Sequence, residues 1–140
     1  KQKVIGSGTL IDTNRLKNRA GKSDVLVIGE HGESQVALHV SETIGKLAAK
    51  TGWEIYAAKH HTAFGIASSV AKIITVLVEG KQTVLPVSTY DQVQGCYYST
   101  LTELSLPKGV VKRVIPTLTS EEAERLQQSI NTIKQNYQQI

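Results

Sequence analysis

The strongest constraint on the fold comes from residues 119–140. Thr119 and Glu122 have the spacing of a capping box, in which a threonine hydroxyl and a glutamate three residues on satisfy free N–H groups at a helix start. Leu126, Ile130, Ile133, Tyr137 and Ile140 then recur at steps of four and three, which lays one apolar stripe along a long helix. A helix of that kind is stable when its stripe lies on another layer. The preceding segment supplies the layer: residues 83–88, 95–104 and 110–115 read as strands, with Leu106-Pro107-Lys108-Gly109 as a turn. A helix over strands joined by short connections predicts an α+β fold, a mixed, largely antiparallel sheet packed with long helices.

The upstream part adds helices and a short strand pair. Residues 10–18 read as a short helix entered from the Gly6-Ser7-Gly8 turn, with Gly21 as its terminator. Residues 24–28 form an apolar strand, and residues 35–40 continue extended. Residues 43–59 read as a helix through Ile44, Leu47, Ala48, Ile55 and Ala58, with Gly52 as a weak point. Residues 62–78 carry Phe64, Ala67, Ala71, Ile74, Leu77 and Val78, so nearly all-round apolarity predicts the central core helix. Trp53, Tyr56, Phe64, Tyr97 and Tyr98 read as core and interface aromatics.

A chain of 140 residues, 40% hydrophobic and 20% charged, is a single folded domain rather than a disordered segment. The net charge of +4 is scattered; only Lys1-Gln2-Lys3 and residues 108–113 are locally basic, which gives no ground for a nucleic-acid partner. Cys96 is alone and cannot form an intrachain disulfide, which favours a reducing, cytoplasmic compartment. No apolar run approaches membrane-spanning length. Methionine is missing and the chain starts at Lys1 beside a Gly-rich element, so the expectation is one half of a longer protein.

Function points to Gly29-Glu30-His31-Gly32-Glu33-Ser34, directly after the apolar run Val25-Leu26-Val27-Ile28. His31 therefore sits where a buried strand gives way to a loop, between glycines that let the backbone approach a ligand. An imidazole titrates near neutrality and can trade a proton with a reacting oxygen, although a loop histidine with only structural partners fits the same pattern. Asp12 and Arg15, three apart, read from spacing alone as an exposed helix pair worth a few tenths of a kcal/mol. In a partly buried setting the same pair could orient an imidazole and grip a carboxylate. Gly6-Ser7-Gly8 lacks the third glycine of a dinucleotide loop and reads as a tight turn. His60 and His61 are adjacent and diverge on a helix, and His39 has no ligand-type neighbour, so no metal site is expected. Ser34 lies near His31 but has no nucleophile elbow, which leaves serine hydrolysis a poor second.

Taken in order, Val4-Ile5-Gly6-Ser7-Gly8-Thr9, Leu10-Ile11-Asp12-Thr13-Asn14-Arg15 and Ile28-Gly29-Glu30-His31-Gly32-Glu33-Ser34 resemble the carboxyl-terminal, substrate-binding half of the L-lactate and L-2-hydroxyacid dehydrogenases. The likeness continues through residues 59–67, Val84-Leu85-Pro86-Val87-Ser88 and Ile115-Pro116. It implies that residues 1–140 form the substrate-binding and catalytic domain, while the NAD-binding domain lies outside this sequence. The resemblance assigns His31 as proton donor and acceptor, Asp12 as its orienting carboxylate, Arg15 as the clamp on the substrate carboxylate and Thr62 as a shaper of the side-chain pocket. It implies NAD as cofactor, no metal, a small 2-oxo or 2-hydroxy acid as substrate, a homo-oligomer and a cytoplasmic place in fermentative carboxylic acid metabolism. The Ser-Gly-Thr and Asp-Thr-Asn-Arg segments resemble the lactate and hydroxyisocaproate types more than malate types.

Three departures accompany the likeness. Glu33 stands where the family usually has Asp or Asn, and His60 and His61 replace a glycine–aromatic pair. The connections from Arg15 to His31 and from His31 to Thr62 are shorter than in the family. At positions where related enzymes hold a sugar bisphosphate, Lys17 keeps a cation but Asp24 would repel phosphate, so no such activation is expected. The competing expectation is a non-enzymatic interaction module that associates through the residue 121–140 helix and neighbouring apolar surface.

Overall fold

The computed structural model describes residues 4–138; Lys1-Gln2-Lys3 and Ile140, both used in the sequence reading, lie outside them. The elements run α1 (Leu10–Ala20), β1 (Leu26–Ile28), β2 (Val36–Leu38), α2 (Glu42–Gly45), α3 (Leu47–Lys59), α4 (Ala63–Glu79), β3 (Thr83–Asp91), β4 (Cys96–Ser105), β5 (Gly109–Val114) and α5 (Ser120–Tyr137). The fold is α+β, as expected. β3, β4 and β5 form an antiparallel sheet in that order, and β1 and β2 form a separate antiparallel pair. Gly29, at the end of β1, bridges to Ser99 on β4, while Gly6 bridges to Ser88 on β3, so the chain around the candidate site is anchored to the larger sheet at two points.

Helix α5 lies on β1, β2 and β4. Leu126 and Ile130 pack with Ile28, Val36, Leu38, Cys96 and Tyr98, and both hydrogen bonds of the Thr119–Glu122 capping box are present. Tyr137, placed on the stripe by the sequence, is exposed and lines an open cavity with Tyr90, Cys96 and Tyr97. Helix α1 ends at Gly21, whose left-handed φ of 64° suits the missing side chain. It packs Leu16 against Val25, Val27, Ala37 and Ala48.

Two helical expectations need correction. The helix predicted over 43–59 is broken at Lys46 into α2 and α3, whereas Gly52 lies inside an unbroken α3. Helix α4 is not a central core helix. Only Ser69, Ile73 and Val76 are buried on it, while Phe64 is 75% exposed and Val78 73% exposed. One face packs on Leu10, Leu85, Val87 and Leu104, and the other leaves Phe64, Val70, Ile74 and Val78 exposed. Among the described residues, no helix is long and apolar enough to cross a membrane.

Candidate functional site

The site is assembled from α1 and the loop between β1 and β2. Thr9 and Thr13 fix α1 to β1: the Thr9 hydroxyl donates to the Val27 carbonyl, and the Val27 N–H donates to the Thr13 hydroxyl at 3.0 Å. This register brings Asp12 beneath the loop that follows β1. Asp12 is only 2% exposed, and Arg15, one turn on, keeps just 9% of its side chain exposed. They are therefore not the exposed helix pair that spacing alone suggested.

The buried carboxylate divides its two oxygens between two partners. Oδ1 accepts from Arg15 Nη1 at 3.3 Å, and Oδ2 lies 2.5 Å from His31 Nδ1. An ionised carboxylate can only accept, so Nδ1 carries the hydrogen and Nε2 is the ring nitrogen left for a ligand. The hydrogen bond to Asp12 raises the His31 pKa above its ordinary value. Partial burial opposes that rise, the Asp12 charge reinforces it, Arg15 opposes it and Glu30 adds a small further push. The half-exposed imidazole can thus be protonated near neutrality while remaining open to solvent.

The loop that carries His31 is held by α5. Gly29 has φ 87°, and a Cβ there would come within 2.5 Å of Ser129 Oγ, so the backbone requires glycine at this point. The Glu30 N–H donates to Ser129 Oγ at 2.8 Å. The Ser34 hydroxyl donates to the Glu30 carboxylate and reaches Ser129 Oγ. Ser34 is thereby a structural hydroxyl bound to an acid and a second serine, with no hydrogen bond to His31, which removes the serine-hydrolase reading.

His31, Asp12, Arg15 and Thr62 all line one cavity of about 490 Å³. Thr62 precedes α4 as its N-cap residue and makes no side-chain cap bond. Arg15 Nε is buried with no acceptor among the described residues, so the guanidinium is not fully satisfied by Asp12. The remaining lining includes Glu33, Ala49, Gly52, Trp53 and Tyr56. The sequence reading grouped Trp53 and Tyr56 with the core and interface aromatics and did not assign them to this wall; they are exposed, as is Phe64, while Tyr98 is in the core. The signal was available, since residues 49, 52, 53 and 56 fall at i, i+3, i+4 and i+7 of α3 and share one face.

Other candidate groups do not join the cluster. His60 ends α3 in a left-handed conformation, His61 packs on the Phe64 ring, and no metal-holding group of His, Cys, Asp and Glu occurs among the described residues. Gly8 is pressed against the sheet: a Cβ there would meet Ser99 Oγ at 2.2 Å and Ser88 N at 2.6 Å. Glycine at position 8 is thus explained by close packing of the turn on the sheet.

A buried acid that holds an imidazole and a guanidinium at one cavity, on an α+β frame, defines a domain suited to a carboxylate-bearing ligand that exchanges a proton. Comparison makes the class specific. The lactate/malate dehydrogenase α/β C-terminal domain model matches residues 41–140, and the chain belongs to that family. It is 30% identical to the L-lactate dehydrogenase of Salinibacter ruber, over an aligned length of 169 that takes in 95% of this chain and 53% of that protein. Identity to the L-lactate dehydrogenase of Clostridium botulinum strain 657 is 29%, with 96% of this chain and 53% of the relative covered. The solved structure of L-lactate dehydrogenase from Clostridium thermocellum superposes with a TM-score of 0.84 at 26% identity, covering 98% of this chain and 56% of that one. The chain spans about half the length of the relatives it matches. Their aligned length exceeds its 140 residues, in keeping with the short connections read from the sequence.

Proposed function

We propose that this chain is the substrate-binding and proton-transfer half of an NAD-dependent L-2-hydroxyacid dehydrogenase of the lactate type. The observation that carries this reading is the shared use of buried Asp12 by His31 and Arg15 at the cavity that Thr62 also lines. Arg15 binds the carboxylate of a 2-oxo acid, and its guanidinium fixes the carbonyl carbon and oxygen in place. Protonated His31 gives the Nε2 proton to the carbonyl oxygen and is left neutral; in the reverse direction neutral His31 takes the hydroxyl proton. Asp12 holds the ring by Nδ1 throughout and stabilises its charged form.

The nicotinamide, when bound, supplies the hydride that reduces the carbonyl carbon. On this reading the cofactor is held mainly by residues outside this chain, since Gly6-Ser7-Gly8 lacks the third glycine of a dinucleotide loop. The chain alone should then bind pyruvate but not oxidise NADH with it. Isothermal titration with pyruvate, paired with absorbance of NADH, tests this. Pyruvate binding that disappears in Arg15→Leu is expected. No binding by the native chain, or equal binding by the variant, would overturn the site.

The bare apolar face of α4 favours a companion reading, that the chain associates with further protein surface, including other copies of itself. Light scattering tests it: self-association is expected, and a monomer at all concentrations would count against it. A purely interaction-module role, the alternative raised by the sequence, leaves the buried Asp12–Arg15 pair at the cavity without a purpose.

A further inference from the structure

Two cavities adjoin along a boundary that a hydrogen-bonded pair spans. The one described above adjoins a second of about 510 Å³, and Glu33, Gln35, Ala49 and Trp53 belong to the linings of both. The Trp53 indole N–H donates to Glu33 Oε1 at 2.9 Å. Glu33 stands on the His31 loop and Trp53 on α3, so this bond ties the loop to the helix across the boundary between the cavities. Both side chains are exposed, and neither belongs to a core cluster. The bond can therefore be altered without emptying the interior.

The two cavities differ in chemistry. The first has a charged end, Arg15, Asp12 and His31, and a wall of Ala49, Gly52, Trp53 and Tyr56. The second shares Ala49 and Trp53 with it but lacks Gly52 and Tyr56, and adds the charged side chains of Glu42, Lys46, Lys50 and Arg125. A 2-oxo acid whose carboxylate lies on Arg15 turns its side chain toward the α3 wall, where the indole and the Glu33 carboxylate bar the way onward. A carboxylate at that wall also disfavours a second acidic group on the substrate.

We propose that the Glu33–Trp53 pair is a partition that sets the length and charge of the side chain the site accepts, selecting short, uncharged 2-oxo acids. The inference rests on the keto-acid reading above and names a specificity determinant within it. It also gives a use to Glu33, which departs from the family pattern.

The test is a pair of titrations, with pyruvate and with 2-oxooctanoate, of the native chain, Trp53→Ala and Glu33→Ala, followed by NMR shifts of the Gly29, Glu30 and Gly32 amides. The native chain should favour pyruvate. Opening the partition should move the affinity ratio toward 2-oxooctanoate on the order of tenfold in Trp53→Ala, the scale of methylene discrimination in an apolar pocket. The shift should be smaller but in the same direction in Glu33→Ala. A purely structural bond would weaken both acids alike and leave the ratio unmoved. An unchanged ratio in both variants, with pyruvate still bound, would overturn the partition and leave the keto-acid reading standing. Failure of any variant and of the native chain to bind either acid would overturn both.

Discussion

Helices α1 and α4 invert the usual relation between composition and burial. Helix α1, Leu-Ile-Asp-Thr-Asn-Arg-Leu-Lys-Asn-Arg-Ala, is polar, yet Leu10, Ile11, Asp12, Thr13 and Leu16 are buried on it. Helix α4 is nearly all apolar, six residues longer, and buries only Ser69, Ile73 and Val76. The interior of α1 is organised around a charged pair, which is an inefficient way to gain stability, because desolvation offsets most of the attraction. The surface of α4 leaves Phe64 and Val78 in water, which a folded chain has no reason to favour unless something else covers them. The first helix buries a charged pair, and the second leaves an apolar face exposed.

That contrast can be broken by mutation. The largest effect is expected from Asp12→Ala, which leaves Arg15 as an uncompensated buried cation; loss of about 3–5 kcal/mol should appear in urea denaturation. Phe64→Ser on the bare face of α4 should change the same measurement by less than about 0.5 kcal/mol. A comparable loss in both would mean that α4 is as integral to the folded chain as α1.

Next in size is Ser129→Ala, which removes the acceptor for the Glu30 N–H and should cost about 1–3 kcal/mol. It should also speed hydrogen exchange at Glu30, since α5 would no longer hold the His31 loop. Thr119→Ala, at the start of the same helix, should cost about 1 kcal/mol through loss of the helix cap and leave the loop's exchange unchanged.

The smallest expected effect is on stability against pH. His31 has a raised pKa in the fold, so its contribution is present in full below the unfolded value of about 6.5 and fades as pH climbs through the higher folded value. Asp12→Asn should abolish that dependence, as read from denaturation midpoints across neutral pH.

What could be read from the chain follows the same division. Local chemistry was legible: the Thr119–Glu122 cap, the Gly21 stop and the strands on either side of Leu106-Pro107-Lys108-Gly109 are all where their residues place them. His31, Asp12, Arg15 and Thr62 were gathered by resemblance, because residues 12, 31 and 62 meet only through tertiary packing that no local spacing encodes. Burial was misjudged where composition was the guide. Apolar residues on α4 implied a core, and charged residues on α1 implied a surface. The aromatic wall of the cavity was overlooked because Trp53 and Tyr56 are large and apolar, and their shared face with Ala49 and Gly52 opens on a cavity rather than on the interior. The break at Lys46 follows Gly45, the glycine the sequence reading passed over, whereas Gly52, which it singled out, lies against Arg15, where a Cβ would come within 3.0 Å of Nη1.

The account stands or falls on whether His31, Asp12 and Arg15 act as one site for a keto acid. The most direct measurement is an NMR titration of the His31 imidazole with pH, in the native chain and in Asp12→Asn, each with and without pyruvate. The native His31 should titrate above its ordinary value and shift on adding pyruvate, while Asp12→Asn should bring it down to or below that value. A His31 that titrates normally, ignores pyruvate and is indifferent to Asp12 would contradict the assignment.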